Sequence, residues 1–73
     1  MKSDVMTIGD TFDRFGIDFR TIQLEDGKWR WQMAHDIGYG EEFKPDLETL
    51  ASMNGYDTES EAVDAAYEYA ELL

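Results

Sequence analysis

Residues 19–33 have the sequence FRTIQLEDGKWRWQM, in which Asp26-Gly27 separates two runs of strand-forming residues. An Asp-Gly pair favours a two-residue type I′ hairpin turn, because both central residues of that turn take positive φ. The stretch therefore predicts a β-hairpin over residues 19–34.

The predicted turn also sets a register. With a two-residue loop, Glu25 faces Lys28 and Ile22 faces Trp31. Because directly opposed residues share a face, this register predicts one apolar and one polar face. The predicted apolar face contains Ile22, Leu24, Trp29, Trp31 and Met33. The predicted polar face contains Thr21, Gln23, Lys28, Arg30 and Gln32.

A helix is predicted over residues 58–73. Thr58-Glu59-Ser60-Glu61 has the spacing of a capping box, which satisfies the first free amides of a helix. At 100° per residue, the apolar stripe contains Ala62, Val63, Ala66, Tyr69, Ala70 and Leu73. The small alanines predict a close approach of this helix to the sheet, with the tryptophans supplying bulk.

These elements predict one α+β domain over residues 1–73, in which the helix covers a small antiparallel sheet of two to three strands. A third strand is predicted at about residues 49–55, before a bend at Asn54-Gly55. Residues 1–16 are an N-terminal segment for which two interpretations stay open, a loosely attached segment and an added edge strand or helical turn.

Two segments resemble those of a known family. They are GKWRWQM at residues 27–33 and LASMNGYDT at residues 50–58, the second followed by an alanine-rich helix. Together they resemble the YegP-like small modules over residues 19–72. The resemblance implies a compact ββ(β)α fold. The chain departs from that pattern by an insertion at residues 35–48.

The charge is concentrated at one end of the chain. The net charge is −11, and residues 45–73 contain eight acidic residues and no lysine or arginine. Such acidity repels nucleic acid and anionic membranes and attracts basic protein surfaces. The sequence therefore predicts a basic protein partner, with no direct nucleic-acid binding and no membrane binding.

Cysteine usage and the N-terminus bear on location. The chain has no cysteine, so it has neither disulfides nor a thiolate zinc site. MKSDVMTIGD lacks the continuous apolar stretch of a signal peptide. We expect a cytoplasmic protein.

No motif predicts catalysis, a cofactor or a metal. His35, Asp36, Glu41 and Glu42 offer hard-cation ligands, but they lack the spacing of a known site, and we predict a solvated loop. The single histidine has no nucleophile motif beside it, so we expect no enzymatic activity. Trp29 and Trp31 would stack nucleobases if exposed, but the apolar face predicts that they belong to the core.

The acidic flank of the helix carries the functional hypothesis. Glu61, Asp64, Glu68 and Glu71 line the side opposite the alanines, with Tyr67 beside them. These carboxylates would imitate a row of phosphates on a basic groove, with Tyr67 as an anchor. In general character the chain is similar to the small acidic inhibitors that phages direct at host nucleic-acid enzymes, including anti-CRISPR and anti-restriction proteins.

Two other interpretations stay open. In the first, the acidic flank is only a solvated surface that provides solubility, which is the usual role of a run of charges. The chain is then a small structural module that forms a homodimer through a sheet edge or through the Tyr67 and Leu72 side of the helix. A carboxylate-dependent metal binder or enzyme ranks last.

Overall fold

The computed structural model describes residues 4–73. They contain a three-stranded antiparallel sheet in the order β1-β2-β3. The strands are β1 (Val5–Arg14), β2 (Ile17–Leu24) and β3 (Trp29–Met33). After them come α1 (Ala34–Ile37), a 3₁₀ turn (Gly40–Glu42), α2 (Leu47–Ser52) and α3 (Glu59–Glu71). The predicted α+β class, the hairpin over residues 19–34 and the C-terminal helix are confirmed.

The capping sequence of α3 has its predicted geometry. The Thr58 hydroxyl accepts a hydrogen bond from the Glu61 amide at 3.2 Å. Ala62, Ala66 and Ala70 are buried against the sheet, as the stripe predicts. Leu73 does not belong to that stripe, because the helix ends at Glu71 and Leu73 is 71% exposed.

The loop between β2 and β3 has three residues, and this corrects the predicted register. The Leu24 amide donates to the Lys28 carbonyl at 3.1 Å, and the Gly27 amide donates to the Leu24 carbonyl at 2.9 Å. Within this loop, only Gly27 takes positive φ, at 79°. This is a turn followed by a glycine bulge, the usual form of a three-residue hairpin loop. Thr21, and not Ile22, therefore faces Trp31.

The corrected register divides the apolar residues of the hairpin between two faces. Phe19 and Thr21 share the α3 face of the sheet with Trp31, whereas Ile22 and Leu24 lie on the opposite face. All four of these β2 residues are buried. The prediction of one apolar face was wrong because β2 is a central strand covered on both sides, where alternation of polarity is not required.

Two apolar clusters hold the layers together. The first, on the α1 and α2 side, contains Ile22, Leu24, Ile37 and Leu50, with Val5, Phe43, Leu47 and Met53 against it. The second, on the α3 side, contains Phe19, Ala66 and Ala70, with Phe12, Ile17, Trp31, Met33 and Tyr69 against it. The sheet is therefore the middle layer, and the core interpretation of Trp31 is confirmed.

The third strand predicted at residues 49–55 is wrong, because α2 occupies most of this segment. Asp46 caps α2, accepting from the Thr49 amide at 3.1 Å and from the Thr49 hydroxyl at 2.6 Å. Leu47 and Leu50, three positions apart, then pack on the same cluster. Capping and this apolar spacing favour a helix over a strand.

The third strand is β1, which forms an edge of the sheet. Residues 5–14 pair with β2, so the loosely attached alternative does not describe them, and residues 1–3 lie outside the described residues. Two register shifts, between Val5 and Thr7 and between Ile8 and Thr11, interrupt the alternation of side chains. These irregularities explain why the segment has no regular strand pattern in the sequence.

Arg30 is a buried cation that ties the hairpin turn to the chain after α2. Its residue exposure is 6%, and its two terminal nitrogens donate to the Asp26 carboxylate at 3.1 and 2.9 Å. Its Nε donates to the Met53 carbonyl at 3.3 Å. The Arg30 hydrogen bond, followed by that of the Lys28 amide, lowers the pKa of Asp26.

The burial of α2 against the sheet predicts unequal effects of two leucine truncations. Leu50→Ala should lower the free energy of unfolding by about 3 kcal/mol, because Leu50 is fully buried. Leu72→Ala, the matched control, should change it by less than about 0.5 kcal/mol, because Leu72 is 84% exposed. Urea unfolding followed by tryptophan fluorescence measures both. Equal losses would contradict a core on this side.

The ion pair of Arg30 predicts a pH-dependent stability difference between wild type and Asp26→Asn. The folded-state pKa of Asp26 is lowered, so its contribution is present above the ordinary value of 3.8 and lost as the pH falls through the folded value. We expect Asp26→Asn to cost about 1 kcal/mol at neutral pH, a figure reduced for the half-exposed carboxylate. The cost should shrink below pH 3.8. A cost independent of pH in urea titrations would contradict this ion pair.

Candidate protein-binding surface

The predicted site residues lie along α3, and four of the five are carboxylates on its solvent side. Glu61, Asp64, Glu68 and Glu71 are all exposed. The ten-residue interval from Glu61 to Glu71 corresponds to about 15 Å along a helix. We call these four residues the acidic flank. It is a line of negative charge on a rigid, capped helix.

Asp64 and Glu68 are the members of the acidic flank that have no partner within the part of the chain that the structure describes. Glu71 accepts from Arg14 at 3.1 Å, and Glu61 accepts from the Thr58 hydroxyl at 3.2 Å. Within residues 4–73, no hydrogen bond or ion pair involves the side chain of Asp64 or Glu68. These two carboxylates, one helical turn apart, are available to an external cation.

Tyr67 is turned toward the sheet rather than outward. It is half-buried, and its ring meets the Phe12 ring edge-on at 5.5 Å between centroids. The Arg14 guanidinium lies 5.2 Å from the Tyr67 ring and 4.8 Å from the Phe15 ring. Tyr67 therefore joins α3 to β1, and the part of it that a partner would meet is its exposed edge.

Most cationic side chains in the described part of the chain are already engaged. Arg14, Lys28 and Arg30 form ion pairs with Glu71, Asp57 and Asp26 respectively. Arg20 lies over the Phe43 ring at 4.8 Å. The acidic flank carries no lysine or arginine of its own. Its negative potential is therefore little compensated.

The candidate metal ligands near His35 do not converge in the structure. His35 Nε2 lies 3.2 Å from Asp36, with both side chains exposed. Among residues 4–73 there is no group of three or more histidine, aspartate or glutamate side chains placed to hold a metal ion. Over the same residues, no helix is long and apolar enough to cross a bilayer.

A groove beside β3 is a feature that the sequence pattern did not predict. Its volume is about 260 Å³. Its lining comes from β3, from α1 and α2 with the residue that follows α2, and from α3. The lining residues are Trp31, Gln32, Met33, Asp36, Ile37, Thr49, Met53 and Tyr69. The hairpin that forms one side of the groove was predicted from the sequence. The groove was not, because its position depends on the corrected register and on α2.

No model of a known protein family, no curated protein and no solved structure matches this chain. The YegP-like resemblance and the likeness to small phage-encoded inhibitors therefore stay predictions.

The like-charge pair on α3 predicts a stabilising substitution. Glu68→Lys replaces the repulsion with Asp64 by an acid-to-base i,i+4 pair, which should add about 0.5 kcal/mol to the stability. For a domain of this size that gain is about 2–4 °C in Tm. Glu68→Gln, the control, should give about half of the gain.

Salt tests the electrostatic origin of that gain. Because both side chains are exposed, the difference in Tm between Glu68→Lys and wild type should largely disappear in about 1 M salt. Calorimetry at low and high salt provides the comparison. No stabilisation at low salt would contradict repulsion within the acidic flank.

Proposed function

We propose that this protein is a non-enzymatic, DNA-mimicking inhibitor that binds the basic groove of a nucleic-acid-binding protein through the acidic flank of α3. The observation that supports the proposal is the pair Asp64 and Glu68, exposed and without partners in residues 4–73. A host enzyme of phage or mobile-element defence, such as a CRISPR or restriction nuclease, is the class of target, and the cytoplasm is the proposed location.

The charge spacing of the acidic flank is somewhat wider than that of a nucleic-acid strand. Four carboxylates along about 15 Å of helix leave about 5 Å between charges, against about 3.4 Å of axis per phosphate for each strand of a duplex, and Glu71 is paired with Arg14. A rigid helix presents these charges without the ordering cost of a flexible tail. A groove that attracts a DNA strand would therefore attract this helix.

The cost of the acidic flank supports the same proposal. A like-charge i,i+4 pair destabilises a helix by a few tenths of a kcal/mol. Residues 59–71 contain no base that offsets this cost.

A homodimer is the second candidate, and the free edge of β1 favours it. The strand has ten residues, and Met6 and Ile8 are 54% and 49% exposed. Its register shifts and its aspartates oppose edge-to-edge pairing, as does a net charge of −11 on each copy. In this case the YegP-like module would act by assembly, and the acids would serve solubility.

Capture from a nuclease-treated host lysate tests the inhibitor proposal. The baits are the wild type, the double variant Asp64→Lys/Glu68→Lys and the matched double variant Glu41→Lys/Glu42→Lys, which makes the same charge change on the exposed loop after α1. We expect the wild type and the loop variant to retain a nucleic-acid-binding protein that the α3 variant loses.

The captured protein is then purified for a competition assay. Duplex DNA should displace the wild-type protein from it, and the affinity should fall at least about tenfold as the salt concentration rises from low to moderate. Affinity independent of salt, or equal capture by the α3 variant, would contradict the proposal. A stable dimer in light scattering that Met6 or Ile8 substitutions disrupt would support the second candidate.

A further inference from the structure

The outer edge of β3 has backbone groups that point away from the sheet. The Leu24 amide bonds to the Lys28 carbonyl, so alternate pairs of the β2–β3 ladder are hydrogen-bonded: Ile22 with Arg30 and Arg20 with Gln32. Residues of the other pairs direct their amide and carbonyl groups outward. On β3 these residues are Trp29, Trp31 and Met33.

One of these outward positions already holds a partner within the chain. Trp29 exchanges two backbone hydrogen bonds with Tyr56, at 2.7 and 2.9 Å, as an isolated antiparallel bridge. The edge is therefore competent to accept a strand. Among residues 4–73, no backbone bond is seen to the Trp31 amide or carbonyl or to the Met33 amide on this side, whereas the Met33 carbonyl belongs to the start of α1, of which Met33 is the N-cap.

The groove lies beside these open positions. Trp31 and Tyr69, whose ring centroids are 5.0 Å apart, form its bank on the α3 side, and Ile37 and Met53 form the bank on the α2 side. Its volume of about 260 Å³ is suited to a few side chains of an extended segment. An added strand would place alternate side chains against the two banks.

Charge identifies the kind of segment. Asp36 lines the groove, and on α3 the surface that continues from Tyr69 toward solvent carries Glu61 and Glu68. Cationic side chains and N–H donors complement all of these groups.

We infer that the β3 edge at Trp31–Met33 binds an extended segment of the partner protein, in which lysine or arginine alternates with apolar residues, as a fourth antiparallel strand. The inference rests on the proposed function and names the part of the basic partner that this face accepts. The new backbone bonds would continue the line that begins at the Trp29–Tyr56 bridge. Because alternate side chains of a strand point to opposite faces, the lysines would lie along the α3 bank toward Glu68, and the apolar residues would lie against Ile37 and Met53 on the other bank.

The test uses the folded protein and a defined probe, the peptide acetyl-KVKVKVK-amide, with acetyl-EVEVEVE-amide as the control for charge. Amide hydrogen exchange by NMR monitors the edge. In the free protein the outward amides of Trp31 and Met33 should exchange faster than that of Gln32. With lysine peptide at about ten times its Kd, both amides should slow by about tenfold.

Met33→Pro and Met33→Ala form the matched pair of variants. Met33 has a φ of −71°, which proline adopts without strain, and its amide faces the open edge. Both substitutions remove the same side-chain packing, but only proline removes the amide. We expect Met33→Pro to bind the peptide at least about tenfold more weakly than Met33→Ala, which has lost the same side chain but keeps the amide.

Protection confined to the β1 edge, equal protection by the glutamate peptide, or equal affinity of the two Met33 variants would overturn the inference. So would the absence of protection at Trp31 and Met33 with millimolar lysine peptide in the wild type, a readout that does not depend on the folding of either variant. If Met33→Pro still binds the captured target while Asp64→Lys/Glu68→Lys does not, the inference fails and the proposed function stands. The reverse result, binding of the target by Asp64→Lys/Glu68→Lys but not by Met33→Pro, would contradict the proposed role of the acidic flank and leave the β3 edge as the binding surface.

Discussion

The three-residue loop at Glu25–Gly27 is the constraint on which the rest of the structure depends. Gly27, at a φ of 79°, absorbs the additional residue and fixes the pairing of Thr21 with Trp31. With that pairing, Trp31 and Met33 join Phe19 on one face while Ile22 and Leu24 occupy the other, so that both faces are apolar and both need a helical layer. The same register directs Arg30 inward, where it binds the turn through Asp26.

The surface follows from this arrangement. The helix α3 occupies one face through its alanines, and close packing there leaves its charged flank entirely to solvent. The shorter α2 occupies the other face, and the β3 edge between the two layers is filled only as far as Tyr56. The acidic flank and the open edge thus both follow from one sheet, and the proposed basic partner would meet both.

Local signals in the sequence were sufficient for part of this structure. The Asp26-Gly27 turn and the Thr58 cap located the hairpin and α3, because each depends on residues close in sequence. The acidic flank followed from helical periodicity, whereas the partners of Glu71 and the inward turn of Tyr67 depend on β1.

Tertiary context decided the rest. A two-residue and a three-residue loop both suit Asp-Gly, and the packing of Trp31 with Phe19 on one face and the bond of Arg30 to the Met53 carbonyl on the other select between them. The groove beside β3 exists only in that register, so periodicity had no means of indicating it.

Measuring which residues of β2 and β3 face each other is the most direct test of this fold. Residues in non-hydrogen-bonded antiparallel pairs have Cα atoms about 4.5 Å apart, close enough for a strong nuclear Overhauser effect between their α-protons. The account predicts such cross-peaks for Thr21 with Trp31 and for Gln23 with Trp29. Cross-peaks that instead join Ile22 to Trp31 would contradict it, because they would place Arg30 opposite Gln23, on the α3 face of the sheet and away from the Met53 carbonyl.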